Sequence, residues 1–289
     1  GNAFVRLLQR KHAEIEDQYG FDFRITAIAT GRHGCLGMTT GFDLTNLIEG
    51  GFLPEKFPKG ILYQNTLDML AKCKADVFIE TTPVNYQTGQ PAVNFLKSAL
   101  ENGMHIVTAN KGPLVHAFQE LSTLAKRQGK QFLFEATVMD GAPIFSLFRE
   151  ALPALQLTGF EGILNSCTNL ILCRMEEGES FEQAVKYAQS IGIAETDASG
   201  DIDGWDAAIK VAILSTVLLK NPVTPQQINR RGIRSLTLED IRTAQQAGER
   251  WKLICSAEKV GQVWNLSVAP RRVAPQSPFF SIDGTSSYI

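Results

Sequence analysis

No apolar run in this sequence reaches the roughly 18 residues that a membrane-crossing helix needs. The best candidate, Val211 to Leu219, is too short and lies inside an amphipathic segment. A basic surplus is missing too: 28 Lys and Arg face 30 Asp and Glu, for a formal net charge of −2. Without excess cations to neutralise phosphates, nucleic acid is not the expected partner. Nor is a membrane. Cysteine is sparse, with five residues (Cys35, Cys73, Cys167, Cys173 and Cys255) and no C-x-x-C pair. The odd count and wide spacing argue against a disulfide framework or a zinc site. A reducing cytoplasm is the simplest setting. No signal peptide is visible, although the chain starts at Gly1 rather than Met. Repeats and low-complexity tracts are lacking, and only Pro270 to Pro278 reads as a linker.

The chain does have enough apolar residue to bury a core. Its 289 residues are 44% hydrophobic and 20% charged, which excludes global disorder. At roughly 150 residues per domain, the length suggests two domains. In the first half, helical and strand patterns alternate. Asn2 to Tyr19 reads as a helix ending at Gly20, and Phe23 to Thr30 as a strand. Asn65 to Lys74, Ala92 to Glu101 and Pro113 to Gln128 read as helices, the last with Pro in its first turn. Asp76 to Glu80, His105 to Thr108 and Gln131 to Thr137 read as strands. Such alternation predicts an open α/β sheet of the dinucleotide-binding kind, its strands paired in parallel.

The second half changes character. A strand ends at Ile163 to Asn165, and Asn169 to Met175 is apolar. Ser180-Phe-Glu-Gln183 has the form of a capping box, opening a helix that closes at Gly192. Trp205 to Leu219 is the most apolar helix, and Trp251 to Ala257 and Val263 to Val268 are strands. The pattern suggests a smaller α+β domain.

Four features carry chemistry. A dinucleotide-binding domain opens with a strand and G-x-G-x-x-G, whose third glycine lets helix and strand pack closely. Gly1 stands where that third glycine would, which puts the first strand and two glycines upstream; a coincidental terminal glycine is the alternative. After the second expected strand, Thr30-Gly-Arg-His33 offers the cation Arg32 where NAD-binding folds usually carry an acid. A cation suits the 2′-phosphate of NADP, against the plainer reading of an exposed loop arginine. In the apolar helix, Asp206 and Lys210 are the only charges and share one face. A surface pair contributes little, whereas charges on a largely buried helix are costly unless compensated and are often kept for function. Just upstream, Glu195, Asp197, Asp201 and Asp203 crowd one loop. The spacing does not match an EF-hand. A solvated acidic loop and a pocket for an ammonium group both remain open.

Four stretches together are specific. They are Thr108-Ala-Asn-Lys111, Glu135-Ala-Thr-Val-Met-Asp-Gly-Ala-Pro143, Asn165-Ser-Cys-Thr-Asn-Leu-Ile-Leu172, and the A-E-x-D…D-x-x-G-x-D-x-x-x-K frame within Ser180 to Lys210. In order and at this spacing, they resemble homoserine dehydrogenases from Gly1 to about Leu266. That resemblance implies a Rossmann-like doubly wound parallel sheet in residues 1–141. An α+β catalytic and dimerisation domain would follow in 142–268, and 269–289 would return toward the cofactor domain. It implies reversible reduction of L-aspartate 4-semialdehyde to L-homoserine with NADH or NADPH, by a homodimer. It further implies that Lys210 and Lys111 are the catalytic lysines, Lys111 lying close to the nicotinamide, and that Glu195 and Asp206 hold the substrate's amino group. Thr81, Thr82 and Gly192 would line the cofactor. Glu135, with the carbonyls of Val138, Asp140 and Ala142, would hold Na⁺; a plain capping carboxylate is the other reading of Glu135. Cys167 departs from the family's small Gly or Thr. Two rivals stand beside this reading: an amino-acid oxidoreductase acting on a carbon–nitrogen bond, and a non-catalytic NADP-binding regulator.

Overall fold

Helix α1 (Asn2–Tyr19) ends at Gly20, whose φ of 69° is the left-handed stop that glycine adopts without strain. The computed structural model describes all 289 residues. Next come β1 (Ala27–Thr30), β2 (Gly34–Gly37), α2 (Leu44–Gly50), β3 (Ile61–Tyr63) and α3 (Thr66–Lys72). β1, β2 and β3 form an antiparallel sheet in that order. This corrects the expectation that the first visible strand joins a parallel ladder. The turn Gly31-Arg32-His33, closed by Gly34 at φ 75°, is too short for the crossover a parallel pair requires. Leu36, Phe42, Leu47 and Phe57 form the local core.

The expected parallel sheet follows. Strand β4 (Val77–Glu80), helix α4 (Ala92–Glu101), strand β5 (His105–Thr108), helices α5 (Lys111–His116) and α6 (Phe118–Gln128), and strand β6 (Phe132–Leu133) come in sequence. β4, β5 and β6 pair in parallel, in that order. α4 buries Val93, Leu96, Ala99 and Leu100, a spacing that gathers them on one face of a helix. The predicted strand Gln131 to Thr137 shortens to β6. Residues Glu135–Thr137 instead form a 3-10 turn, where Glu135 turns its carboxylate onto backbone N–H groups further on.

The second half holds α7 (Ile144–Ser146), β7 (Gly159–Gly162), α8 (Ser166–Glu176), α9 (Phe181–Ser190), α10 (Ser199–Ile202), α11 (Trp205–Leu218), β8 (Asn229–Arg230), α12 (Leu238–Gln246), β9 (Arg250–Val260) and β10 (Val263–Val273). Both hydrogen bonds of the Ser180–Gln183 capping box form. The sheet order is β7-β9-β10-β8, with β9 and β10 joined by a tight hairpin at Gly261, φ 63°. Pro270 lies within β10 rather than opening a linker. Val268 O accepts from Arg231 on the β8 side, so two residues on, Pro270's missing N–H faces a flank that β8 has already left.

The chain divides into two compact units: Gly1–Asn110 with Gln119–Leu133, and Lys111–Phe118 with Phe134–Ile289. Two expectations shift. Lys111, assigned by sequence to the first domain, belongs to the second unit, because α5 packs against α11. Residues 269–289, expected to return to the cofactor domain, dock within the second unit. There Tyr288 pairs with Ile163, and Phe279 joins a core of Ile163, Ile254 and Val273.

Candidate active site

α11 opens after Gly204, whose φ of 79° turns the chain sharply into the helix. Asp206 stands in the first turn, where the helix dipole favours an acid. Lys210 lies one turn on, its Nζ 3.1 Å from Asp206 Oδ2. Lys111 Nζ, at the start of α5, lies 3.4 Å from Asp206 Oδ1. The two lysines singled out from sequence therefore meet on one carboxylate. Lys210 also donates to Leu164 O at 2.6 Å. Asn165 Nδ2 donates to Asp206 at 3.0 Å and to Asp201 at 2.7 Å, while its Oδ1 caps α8. Side-chain exposures of 15% for Asp206 and Lys210 and 23% for Lys111 make these charges half-desolvated yet reachable by a small molecule.

Burial alone would push the Asp206 carboxyl up, but Lys210, Lys111 and Asn165 outweigh it and hold it below the ordinary range. Asp201 goes the other way. Burial raises it, Asp206 adds to the rise, and Asn165, Cys167 and Lys210 do not cancel it. Cys167 is pushed up to about 12 by burial and by Asp201 and Asp206, so it stays a thiol and is a poor nucleophile. The result is two ammonium groups, one firmly ionised acid and one acid biased toward its neutral form, sharing one amide hub. Such a cluster can present two N–H donors to a developing oxyanion and a carboxylate to a cation.

Asn165 and Asp201 were not singled out by sequence as site residues. Asp201 was one acid among several in its loop; the visible signal for Asn165 was a capping residue, with Thr168 N–H three residues on, before an apolar run. Glu195 lies in the loop between α9 and α10 with its side chain exposed, and only its backbone carbonyl is engaged, by Gln189. It makes no hydrogen bond or ion pair with the Asp206 cluster.

A second network lies in the first unit, at the carboxyl ends of two parallel strands. Glu80 is 1% exposed and accepts from Thr82 N and Thr82 Oγ1, both at 2.6 Å, and from Thr108 Oγ1 at 2.6 Å. Thr108 Oγ1 accepts from Asn110 N, and Asn110 Nδ2 donates to Thr82 O. The predicted cofactor residue Thr82 is thus tied down, with Thr81 exposed beside it. In open α/β sheets this strand end is where ligands bind. Arg32 is exposed in the β1–β2 turn. Gly1 precedes α1 with open space where a Cβ would stand, so the close packing expected of it is not seen among these residues. Gly192, at φ 75°, follows the end of α9.

Glu135 accepts from Phe145 N at 2.7 Å and Ser146 N at 2.9 Å, so it does cap the turn at Ile144–Ser146. Val138 is buried, Asp140 is exposed, and Ala142 O accepts from Ile144 N. No group of three His, Cys, Asp or Glu side chains is placed to hold a metal. No helix is long and apolar enough to cross a membrane.

Comparison with known proteins supplies the remaining observation. Residues 1–135 match the family described as "Homoserine dehydrogenase, NAD binding domain", and residues 143–289 match that described as "Homoserine dehydrogenase". An NAD(+)-dependent homoserine dehydrogenase of Pseudomonas canavaninivorans is 35% identical, over 99% of this chain and 83% of its own. A homoserine dehydrogenase of Methanocaldococcus jannaschii is also 35% identical, over 99% of this chain and 84% of its own. A solved hyperthermophilic archaeal homoserine dehydrogenase in complex with NADPH superposes with a TM-score of 0.80 at 27% identity, covering 99% of this chain and 82% of that one.

Proposed function

The chain belongs to the homoserine dehydrogenase family, NAD(P)-dependent oxidoreductases that interconvert L-aspartate 4-semialdehyde and L-homoserine, and from that premise we propose how its residues divide the work. Lys210 exchanges the proton at the substrate oxygen. Lys111 is a second donor to the same oxygen. Asp206 takes the substrate's α-ammonium, with Glu195 as a further acid. The observation that carries this reading is the meeting of Lys111 and Lys210 on Asp206, at 3.4 and 3.1 Å. The two rivals, a C–N oxidoreductase and a non-catalytic regulator, are set aside by family membership.

The nicotinamide, when bound, supplies or accepts the hydride at the carbonyl carbon. The protein's own task is to stabilise charge on the oxygen and to move one proton. As the aldehyde is reduced, negative charge grows on its oxygen, and two ammonium groups pre-set on one carboxylate can face it with little reorganisation. Lys210 then gives up a proton; in the reverse direction it takes one back. Leu164 O and Asp206 fix the Lys210 side chain, so that geometry does not depend on a free rotamer.

For the cofactor, the residues present fit a dinucleotide. The Thr81–Thr82 turn, braced by Glu80, offers exposed hydroxyl and backbone groups at a strand end. Gly1 and Gly192, both free of a side chain, and Lys111 complete the proposed cofactor contacts. Arg32, exposed in the β1–β2 turn, is the cation this reading assigns to the 2′-phosphate of NADP. The proposal includes Na⁺ on Glu135 and the carbonyls of Val138, Asp140 and Ala142. The two capping bonds use one lone pair on each Glu135 oxygen and leave another for a hard cation. It also includes a homodimer built on the second unit's sheet, and a cytoplasmic location.

The test is turnover of L-homoserine with NADP⁺ and with NAD⁺, by the chain and by Lys210→Met. The variant is expected to bind NADPH normally while kcat falls by roughly 10²–10⁴, the range of general acid–base catalysis. Undiminished turnover would end the assignment of Lys210.

A further inference from the structure

The most deeply buried charge in the protein plays no part in the reaction as described. Lys252, on β9, is 0% exposed. Its Nζ donates to Asn169 Oδ1 at 3.0 Å and to Ile282 O, and lies 3.7 Å from Cys173 Sγ and 3.9 Å from Asp283. An ammonium this deep costs several kcal/mol unless it is fully partnered, and burial does lower its pKa. Its partner Asn169 points its amide at three carbonyls of one turn-containing segment: Ile282 at 3.2 Å, Gly284 at 3.1 Å and Ser286 at 3.3 Å. Arg250, also on β9, holds Phe280 O at 2.7 Å and pairs with Asp283. Residues 280–286 are therefore strapped to α8 and β9 by buried side chains.

That segment reaches the active site by its next residues. Tyr288 and Ile163 exchange both backbone hydrogen bonds, at 2.8 and 3.0 Å, and Ser287 Oγ meets Ser166 Oγ at 3.1 Å. The fit is close: a Cβ on Gly162 would stand 2.4 Å from Tyr288 O. One residue beyond Ile163 is Leu164, whose carbonyl holds Lys210, and the next is Asn165, whose amide holds Asp206 and Asp201. The loop that orients the cluster thus leans on the strapped segment along its backbone.

We propose that Lys252 and Asn169 are positioning residues: they fix residues 282–288, whose pairing with Ile163 sets the Leu164 carbonyl and the Asn165 amide that aim Lys210 and Asp206. This rests on the catalytic reading of Lys210. Neither residue touches the reacting atoms. Both act through the backbone of 162–166, where a displacement of an ångström is enough to slow a positioned proton transfer.

Two variants test it. Tyr288→Pro removes one N–H of the bridge to Ile163 and leaves the buried cluster intact. Lys252→Met replaces the buried ammonium with an apolar chain of similar length. Each is assayed for NADPH affinity by fluorescence, for kcat and KM, and for the isotope effect with NADPH deuterated at the transferred position. Tyr288→Pro is expected to lower kcat roughly tenfold, raise the isotope effect and leave NADPH affinity within about twofold of the parent. Lys252→Met is expected to move the same way, and a folded Lys252→Met with parental kcat overturns the proposal; should it fail to fold, Asn169→Ser, which withdraws the amide from the three carbonyls, is read in its place by the same criteria. A parental kcat in Tyr288→Pro overturns the proposal, and so does a loss of kcat with an unchanged isotope effect, which marks a merely structural role. If the parent chain turns over but Lys210→Met is equally active, the reading of the site fails first and the positioning role with it.

Discussion

Two buried or half-buried carboxylates, Glu80 and Asp206, are satisfied in opposite ways. Glu80 is met by neutral donors from Thr82 and Thr108, on chain segments held by parallel strands. Asp206 is met by two ammonium side chains and one amide. One backbone N–H and two short hydroxyl side chains leave Glu80 little freedom, so its network is architecture: it locks the strand ends on which Thr81 and Thr82 sit. Charged donors that remain partly exposed leave room for a ligand, so on the proposed reading the Asp206 network is a pre-set arrangement whose carboxylate can also accept a substrate's ammonium and whose two lysines can face its carbonyl oxygen. A buried acid is therefore read by who donates to it, not by its burial.

Breaking the charged side of this contrast should have the largest effect. Asp206→Asn leaves two ammonium groups without a counter-charge and is expected to lower kcat/KM for L-homoserine roughly a hundredfold, measured by steady-state kinetics. Glu80→Gln should separate the two regions. One of its three donors would then face an amide instead of an oxygen, costing about 1–3 kcal/mol of stability by denaturant melting. NADPH affinity should fall, while any turnover reached at saturating NADPH stays near the parent's.

The smaller effects concern pH. The folded-state pKa of Asp206 is depressed, so its stabilisation is present above the ordinary aspartate value of 3.8 and is lost as pH falls below it. The folded-state pKa of Asp201 is raised, so its ionisation disfavours the fold above 3.8. Asp201→Asn is accordingly expected to gain up to about 1 kcal/mol near neutral pH, with the gain vanishing in acid. Asp206→Asn should show the opposite trend, its stability deficit shrinking as pH drops. Parallel slopes for the two variants would erase the distinction between the acids.

Much of this was legible along the chain where the signal is local. α1, α4 and β5 fall on the residues that periodicity and glycine stops indicated. The Asp206–Lys210 pair announced itself because charges are conspicuous on an otherwise apolar helix. What could not be read depends on contacts distant in sequence. The antiparallel turn of β1 into β2 looked like any strand followed by a polar loop. The break between α5 and α6 has no mark in the Pro113–Gln128 pattern, nor does the packing of α5 on α11 that puts Lys111 in the second unit. Lys252 reads as one charge in a strand, and only its Asn169 and Ile282 partners, 83 and 30 residues away, explain why it is buried. The capping reading of Glu135 appears directly in its bonds to Phe145 and Ser146.

The central claim is that Lys111 and Lys210 act on one oxygen, and a double-mutant cycle tests it most directly. Single-turnover hydride transfer would be measured for Lys111→Met, Lys210→Met and the pair, at saturating NADPH and aldehyde. If the two ammonium groups serve the same oxygen, the double variant loses far less than the product of the single losses. Losses that multiply cleanly would place the lysines in independent roles and contradict the account.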